Sequence, residues 1–187
     1  MSIFREYDIR GIVGKDLTVE IVESIGRAYA TLALEQGCKT IAVGRDGRLT
    51  SSELRDRLTA GICSTGLNVM DIGVCATPLL YFSLFNFPVD GGVMITGSHN
   101  SLEYNGFKMC VGKVALYGEG IQRLKEILDE QQCAVGTGTV TETSIIPQYL
   151  SYLKKNFSQV DGSPLHVVID AGNGAAGLVA KNALEQM

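Results

Sequence analysis

The residues best suited to chemistry lie in one stretch, 96–108, which contains an adjacent serine and histidine, Ser98 and His99, and a lysine, Lys108. A serine hydroxyl becomes a nucleophile when a neighbouring group takes its proton. Adjacent residues on an extended chain point in opposite directions, so Ser98 and His99 do not form a hydrolase pair by position alone. No Gly-x-Ser-x-Gly elbow surrounds the serine either. The simplest structural interpretation is a polar loop, and a serine hydrolase is the weaker functional alternative.

Alternating strands and helices must position this loop. Apolar patterning predicts strands at 40–43, 68–72, 92–96, 107–111 and 165–169, and helices at 18–36, 77–87, 120–131 and 147–157. A further helix opens with a capping box at Thr50 and Glu53 and stops at Gly66. The alternation predicts an α/β fold, a layered α/β/α domain with a mostly parallel, mixed sheet.

Three loops follow predicted strands, at 44–48, 97–106 and 170–174. Ligands of layered α/β folds bind beyond the carboxyl ends of the strands, so these loops are the candidates for a binding site. The loop at 97–106 is polar and contains the serine.

The predicted elements divide into one complete domain and a further segment. Residues 1–135 form the domain, and residues 136–157, rich in Gly and Thr at their start, form a connector. Residues 158–187 are predicted to be a truncated start of a second, similar domain. They hold only its first strand and helix, which cannot bury their own apolar faces.

Charge and composition exclude several classes of protein. The net charge of −4 and the pI of about 5.2 lack the basic excess of a nucleic-acid binder. No stretch reaches the roughly 18 apolar residues of a membrane span, and the charged N-terminus is not a signal peptide. The five cysteines form no Cys-x-x-Cys pair. Their odd number favours reduced thiols in the cytoplasm over a disulfide framework or a zinc site.

Three segments together resemble the α-D-phosphohexomutases, and among them the bacterial phosphomannomutase/phosphoglucomutase type. They are residues 4–11, 44–48 and 96–108. The third, with Thr-Gly-Ser-His-Asn followed by Asn-Gly-Phe-Lys, resembles the phosphoserine loop of the family. The family proline after Ser-His-Asn is replaced by Ser101, which removes a fixed φ but no reacting group.

The resemblance extends to residues 170–174, which are similar to the opening of the family's second domain. Family members have four domains. The resemblance therefore implies that this chain holds the first domain and part of the second, and that its own C-terminal domains are its partners.

The activity implied by the resemblance is a reversible transfer of phosphate between the 1- and 6-hydroxyls of a hexose, mannose or glucose. It proceeds through a phosphoserine at Ser98 and a bisphosphorylated sugar. A glucose 1,6-bisphosphate-type activator and Mg²⁺ are also implied, with Ser98 as the only metal contact within the chain. The chain alone is expected to be inactive, because the family's metal aspartates, sugar loop and fourth domain lie outside it.

Two alternatives remain open at this point. The Tyr-Asp-Ile-Arg-Gly start at residues 7–11 favours the phosphomannomutase/phosphoglucomutase group, but a phosphoglucosamine mutase is the alternative within the family. A non-enzymatic module that binds sugar phosphates is the alternative outside enzymes.

The same resemblance implies that Lys108 and Arg10 are catalytic together with Ser98. A lysine can act as general acid or base when burial and neighbouring charge tune it. Because arginine has a pKa above about 12, Arg10 is better suited to electrostatic clamping of phosphate. The structural alternatives are a surface ion pair for Arg10 and a solvated strand position for Lys108.

Five further residues are predicted to bind substrate or phosphate. They are Tyr7, His99, Asn100, Arg45 and Arg48. The tyrosine and the histidine could equally pack in the core, and the two arginines could equally pair with nearby aspartates. The asparagine is a hydrogen-bonding loop residue in either case.

Overall fold

The strands of the fold are short and alternate with helices along the chain. In the computed structural model, which describes residues 3–162 and 165–186, the strands are β1 (Ile9–Ile12), β2 (Thr40–Arg45), β3 (Asn68–Val74), β4 (Gly91–Ile95), β5 (Tyr104–Val111), β6 (Val114–Ala115) and β7 (Val140–Glu142). The helices are α1 (Val19–Glu35), α2 (Ser51–Cys63), α3 (Thr77–Asn86), α4 (Glu119–Glu130), α5 (Ile146–Asn156) and α6 (Ala180–Leu184). No helix in these ranges is long and apolar enough to cross a membrane.

The strands form one sheet in the order β1-β5-β4-β2-β3-β7, with β6 beside β5. Strand β2 pairs in parallel with β3 and β4, and β3 pairs in parallel with β7. Strand β5 is antiparallel to β1, β4 and β6, so it alone runs against the others within the described ranges. The predicted mixed and mostly parallel sheet is confirmed.

Two apolar cores, one on each face of the sheet, hold the three layers together. Helices α1, α2 and α4 cover the core that contains Ile41 and Val43. Helices α3, α5 and α6 cover the core that contains Ala42 and Met94. Successive strand side chains point to opposite faces, so a single strand, β2, supplies both cores.

The first and the last predicted strands differ from the structure. Strand β1 has no counterpart among the predicted elements, because four residues that include an arginine and a glycine carry too little apolar pattern. The strand predicted at 165–169 is wrong, because this segment is not a strand and pairs with no described strand. A strand needs a neighbouring edge for its backbone hydrogen bonds, and no described strand offers one here.

The helix predicted within residues 158–187 forms as a short 3₁₀ turn, Ala175–Leu178, followed by α6. The predicted capping box at Thr50 and Glu53 is also wrong. Thr50 has helical torsions, and its side chain makes no capping bond to the backbone. Its hydroxyl instead accepts a hydrogen bond from Asn105, at 3.0 Å. The connector at 136–157 contains the edge strand β7 and the helix α5.

Candidate active site

Ser98 lies in the loop that follows the carboxyl end of β4. It has φ of 54°, a left-handed conformation that residues other than glycine rarely adopt. Its amide donates to the hydroxyl of Thr96 at 2.8 Å, and its own Oγ lies 3.3 Å from Nδ1 of His99. Both Ser98 and His99 are exposed, so the histidine is not a packed core residue.

The Ser98 cleft is a cavity of about 700 Å³, and the three predicted loops meet there. Its lining includes Asp46 and Arg48 from the loop after β2, Ser98 and His99 from the loop after β4, and Asn173. Strands β2 and β4 are parallel neighbours, so their carboxyl ends bring the first two loops together. The segment at 173–176 closes another side of the same cleft.

The side chain of Arg48 lies against the Ser98 loop rather than projecting into the cleft. Its Nη1 donates to the carbonyls of Ser101 (2.7 Å) and Tyr104 (3.1 Å). Its Nη2 donates to the carbonyls of Ser98 (3.2 Å) and Asn100 (2.6 Å). Four of the five N–H groups of the guanidinium therefore bind backbone oxygens of one loop.

Asp46 forms an ion pair with this guanidinium, because its carboxylate lies 3.3 Å from Nε of Arg48. The same carboxylate accepts from the amide of Gly97 at 3.2 Å and from the hydroxyl of Ser51 at 2.6 Å. Asp46 thus joins the loop after β2 to the loop after β4. Asp46 is absent from the predicted site residues. Its position directly after a buried strand could have indicated a place in the site, because ligands of such folds bind beyond the carboxyl ends of the strands.

Asn105 completes this polar network from β5. Its side chain is fully buried and donates to the hydroxyls of Thr50 and Ser51, each at 3.0 Å. Its Oδ1 accepts from the amide of Gly106 at 2.9 Å. Buried polar groups need hydrogen-bond partners. The side chain of Asn105 has three, the two hydroxyls and the amide of Gly106. The sequence places Asn105 in a loop, but β5 begins one residue earlier, at Tyr104.

Arg10 reaches the Ser98 loop from β1, which pairs with β5 so that Arg10 lies opposite Gly106. Its Nη2 forms an ion pair with Asp8 at 2.6 Å. Its Nη1 lies 3.3 Å from the carbonyl of Gly97 and also donates to the side chain of Asn100. The ion pair with Asp8 is therefore part of a partly buried cluster at the loop, not an isolated surface contact.

Lys108 lies on the same face of the sheet as Arg10. Arg10 is opposite Gly106, and residues two apart on a strand share a face. Lys108 lines a separate cavity of about 310 Å³ together with Tyr7, Tyr81 and Tyr117. No ion pair to Lys108 is present within residues 3–162 and 165–186. Tyr7 is largely exposed, so it belongs to the cavity wall rather than to the core.

Arg45 is not brought to the Ser98 cleft. It lies two residues after Val43, whose side chain packs under α1 and α2, so it faces away from Lys108. Its Nη1 pairs with Asp71 at 3.3 Å, and Asp71 also pairs with Arg55 at 3.0 Å. The ion-pair interpretation of Arg45 therefore holds, with a partner that the sequence does not single out.

A second nucleophile borders the Ser98 cleft, the thiol of Cys75. Burial raises its pKa to about 12. A thiol with such a pKa is protonated at neutral pH and is not reactive. Of these two groups, the hydroxyl of Ser98 is the one that the cleft exposes.

Metal ligands are sparse in the described ranges. No group of three or more histidine, cysteine, aspartate or glutamate side chains within residues 3–162 and 165–186 is placed to hold a metal ion. Asp46 is already bound to Arg48, Gly97 and Ser51. These residues alone do not form a magnesium site within the described ranges.

The fold and the site define a three-layer α/β/α domain that presents a serine from a strand-end loop, and comparison with known proteins assigns its family. Residues 1–133 match the family model described as phosphoglucomutase/phosphomannomutase, alpha/beta/alpha domain I. The chain belongs to the phosphoglucomutase/phosphomannomutase family.

Individual relatives agree with this assignment. The chain is 46% identical over 181 residues to a phosphoglucomutase of Neisseria meningitidis serogroup B, which covers 96% of the chain. It is 42% identical over 186 residues to a phosphomannomutase/phosphoglucomutase of Pseudomonas aeruginosa, which covers 100% of the chain. The chain spans 39% and 40% of the length of these two relatives.

Solved structures of relatives share the fold. A phosphoglucomutase/phosphomannomutase family protein from Burkholderia thailandensis is 33% identical, with a TM-score of 0.88 over 98% of this chain and 42% of its own. The phosphoglucomutase parafusin of Paramecium is 17% identical, with a TM-score of 0.67 over 95% of this chain and 40% of its own. At that identity the second likeness shows the fold alone.

Proposed function

We propose that the protein that contains this chain is a phosphohexomutase. It interconverts the 1-phosphate and the 6-phosphate of mannose or glucose through a phosphoserine at Ser98 and a bisphosphorylated sugar. The observation that carries the proposal is the exposed Ser98 hydroxyl, held in a left-handed backbone conformation at the carboxyl end of β4 and facing a cleft of about 700 Å³. Family membership and the names of the relatives support it.

The chemistry is a pair of opposite phosphoryl transfers at one oxygen. Phosphoserine 98 gives its phosphoryl group to a sugar hydroxyl: a new P–O bond forms to the sugar, the bond to Oγ breaks, and Oγ takes a proton. The sugar hydroxyl loses its proton in this step. In the return step Oγ loses its proton and attacks the other phosphate of the bisphosphorylated sugar: a P–Oγ bond forms, the P–O bond to the sugar breaks, and the sugar oxygen takes a proton. Such transfers depend mainly on alignment and on neutralisation of charge.

Arg10 and Lys108 have different proposed roles. Arg10 already binds Asp8, Gly97 and Asn100, which suits a fixed positive charge beside the phosphate. Lys108 has no carboxylate partner in the described ranges, and its cavity is walled by tyrosines. Its amine is the proposed proton donor and acceptor for the sugar hydroxyl.

His99 and Asn100 are proposed to contact the phosphate from the loop itself, and Tyr7 to contact the sugar. His99 is exposed and adjacent to Oγ of Ser98, at 3.3 Å from its Nδ1. Tyr7 stands in the cavity wall beside Lys108. The substrate is then a hexose phosphate that spans the two cavities.

The family implies a metal cofactor, and we propose Mg²⁺ with one ligand oxygen from Ser98. A metal ion would offset the charge that a phosphoserine adds, about −1.5 to −2. The other ligands have to come from residues outside the described ranges. A glucose 1,6-bisphosphate-type activator is proposed to phosphorylate Ser98. A cytoplasmic location is proposed as well, supported by five cysteines that are all unpaired thiols.

The test uses the full-length protein that contains this chain, with Mg²⁺ and the 1-phosphates of glucose, mannose and glucosamine. We expect turnover of the first two, and a phosphate of about 80 Da on Ser98 by peptide mass mapping. Ser98→Ala should remove both the phosphate and the turnover. Ser101→Ala is the matched control, because among the described residues the Ser101 hydroxyl hydrogen-bonds to Glu103 alone, and the substitution leaves the backbone carbonyl of residue 101 in place.

Two other outcomes would each support a different function. Turnover of glucosamine 1-phosphate alone would assign the phosphoglucosamine reaction instead. Binding of sugar phosphates without turnover, in a protein that is not phosphorylated at Ser98, would favour the non-enzymatic module.

A further inference from the structure

Four of the five N–H groups of the Arg48 guanidinium bind carbonyls of the Ser98 loop, and its Nε lies 3.3 Å from the carboxylate of Asp46 in an ion pair. The side chain of Arg48 is 14% exposed, and that of its partner Asp46 is 17% exposed. The four N–H groups on Nη1 and Nη2 are thus already bound to the loop. Binding of phosphate through Nη1 or Nη2 would have to break these loop contacts first.

Gly97 shows how closely the guanidinium approaches the loop. A Cβ at this position would lie 2.5 Å from Cζ and from Nε of Arg48, and 2.7 Å from the carbonyl of Tyr104. No real Cβ tolerates such distances, so a residue without a side chain is required there. The absence of a side chain at Gly97 therefore allows the guanidinium of Arg48 to lie directly against the loop.

The backbone of Ser98 needs external support. Its φ of 54° is disfavoured for any residue with a Cβ. Such a conformation persists when the surrounding structure determines it, and it occurs mainly at functional sites. Here the support comes from Nη2 of Arg48, which donates to the carbonyl of Ser98 itself and to that of Asn100, two residues further on.

Asp46 in turn fixes the direction of Arg48. Its carboxylate forms an ion pair with Nε of Arg48 and accepts from the amide of Gly97 and from Ser51 Oγ, which itself accepts from the buried Asn105. The chain of contacts runs from the interior of the sheet to the Ser98 loop. Within the described residues, none of its buried side-chain atoms lacks a hydrogen-bond partner, whereas Nε of Arg45 and Nε of Arg55 elsewhere have none.

We infer that Arg48, oriented by Asp46, is a positioning residue that holds Ser98 in its left-handed conformation and so sets the direction in which Oγ meets a phosphoryl group. Arg48 acts on the backbone of the loop and does not bind phosphate. The structural part of this inference stands on the loop geometry alone. Its consequence for phosphoryl transfer rests on the proposed function.

The structural test is NMR on the 187-residue chain with Arg48→Ala, Arg48→Lys and a control, Arg55→Ala. Arg55 has a comparable exposure of 21% and pairs with Asp71 and Asp56, but it does not touch the Ser98 loop. The readouts are hydrogen exchange of the Ser98 and Asn100 amides and the ¹³Cα and ¹³Cβ shifts of Ser98, which report its torsion angles.

Both Arg48 variants should exchange these two amides about tenfold faster or more, as expected when several hydrogen bonds of one segment are lost. The ¹³C shifts of Ser98 should leave the left-handed range. Lysine should not restore them, because a compact ammonium cannot replace a planar fork of five donors. Arg55→Ala should change neither readout. If Arg48→Ala does not fold, Asp46→Asn keeps the arginine, removes its orienting charge, and should produce the same changes.

Unchanged exchange and shifts at Ser98 in Arg48→Ala would overturn the inference, and so would an equal effect of Arg55→Ala, which would indicate general destabilisation. In the full-length protein, Arg48→Ala should lower kcat by roughly tenfold to a hundredfold, with KM little changed. A rise in KM at unchanged kcat would identify Arg48 as a phosphate ligand and refute the positioning role. A parent enzyme without turnover refutes the proposed function, and the NMR result then still decides the role of Arg48.

Discussion

At the scale of single residues, the environment of each side chain decides its chemistry. Ser98 and Cys75 border one cleft and both carry a potential nucleophile. The hydroxyl of Ser98 is exposed, whereas Cys75 is buried against the apolar core under α3. Burial raises the pKa of Cys75 from 9.0 to about 12. One cleft therefore holds an accessible hydroxyl and a protonated, unreactive thiol.

This difference predicts how stability changes at alkaline pH. Cys75 keeps its proton in the folded chain up to about pH 12, but the unfolded chain loses it near pH 9. The stabilisation is complete below the unfolded pKa and is lost as pH rises through the folded pKa. Between pH 8 and 10 the free energy of unfolding of the parent should fall by about 1 kcal/mol more than that of Cys75→Ala. Urea unfolding at the two pH values measures the difference.

The comparison isolates one thiol, because the other groups that titrate in this range are the same in both chains. Equal losses in the parent and in Cys75→Ala would mean that Cys75 titrates alike in the folded and unfolded states.

At the scale of elements, α1 and α2 pack closely through glycines. A Cβ at Gly26 would lie 2.4 Å from the carbonyl oxygen of Leu58, and a Cβ at Gly61 would lie 2.1 Å from that of Glu23. Each helix thus meets the backbone of the other directly. This contact fixes the position of α2, and α2 begins with Ser51, a member of the network that ends at Ser98.

Gly61→Ala should therefore destabilise the domain although alanine is the better helix former. The added methyl group requires the two helices to separate, which costs about 1–3 kcal/mol. The intrinsic helical gain, at most about 1 kcal/mol, does not offset this. The free energy of unfolding in urea measures the net change.

Ser52→Ala on the same helix is the control. Ser52 is exposed, so the change should stay within about 0.5 kcal/mol. A Gly61→Ala chain as stable as the parent would show that the helices can move apart at little cost.

At the scale of the whole molecule, the segment after α5 is attached to the domain by few buried side chains. Val179 and Ala183 join the core under α3. In contrast, the apolar side chains at 165–169 are exposed, and Val168 reaches 96%. Contiguous exposed apolar surface promotes association between copies.

A chain that ends at residue 157 should therefore stay folded and associate less than the 187-residue chain. Circular dichroism checks the fold, and size-exclusion chromatography with light scattering at increasing concentration checks the association. The loss of the Val179 and Ala183 contacts should cost about 2 kcal/mol.

Val168→Asp in the 187-residue chain is the matched variant, because it keeps the segment and places a charge within its apolar run. It should also associate less than the parent. A parent chain that remains monomeric at every concentration would contradict this role of residues 165–169.

The amino-acid sequence by itself determined the parts of this protein that depend on local pattern. Apolar spacing places α1 within one residue of its predicted ends, and β2, β3 and β4 overlap their predicted ranges. The order of strands and helices then dictates a layered α/β/α domain. The serine loop and its family are readable for the same reason, because the residues that identify them are contiguous.

Only the tertiary structure decided which side chains meet. Arg45 and Arg48 are three positions apart in the sequence, yet they have different partners. Arg45 is on a strand, and the alternation of side chains places it beside Asp71. Arg48 lies in the loop after that strand and binds the backbone around Ser98. Asn105 changes from a loop residue to a buried strand residue because β5 pairs with both β1 and β4. These contacts depend on strand order and register, which bring together residues that are distant in sequence. They cannot be predicted from the pattern of apolar residues within one segment.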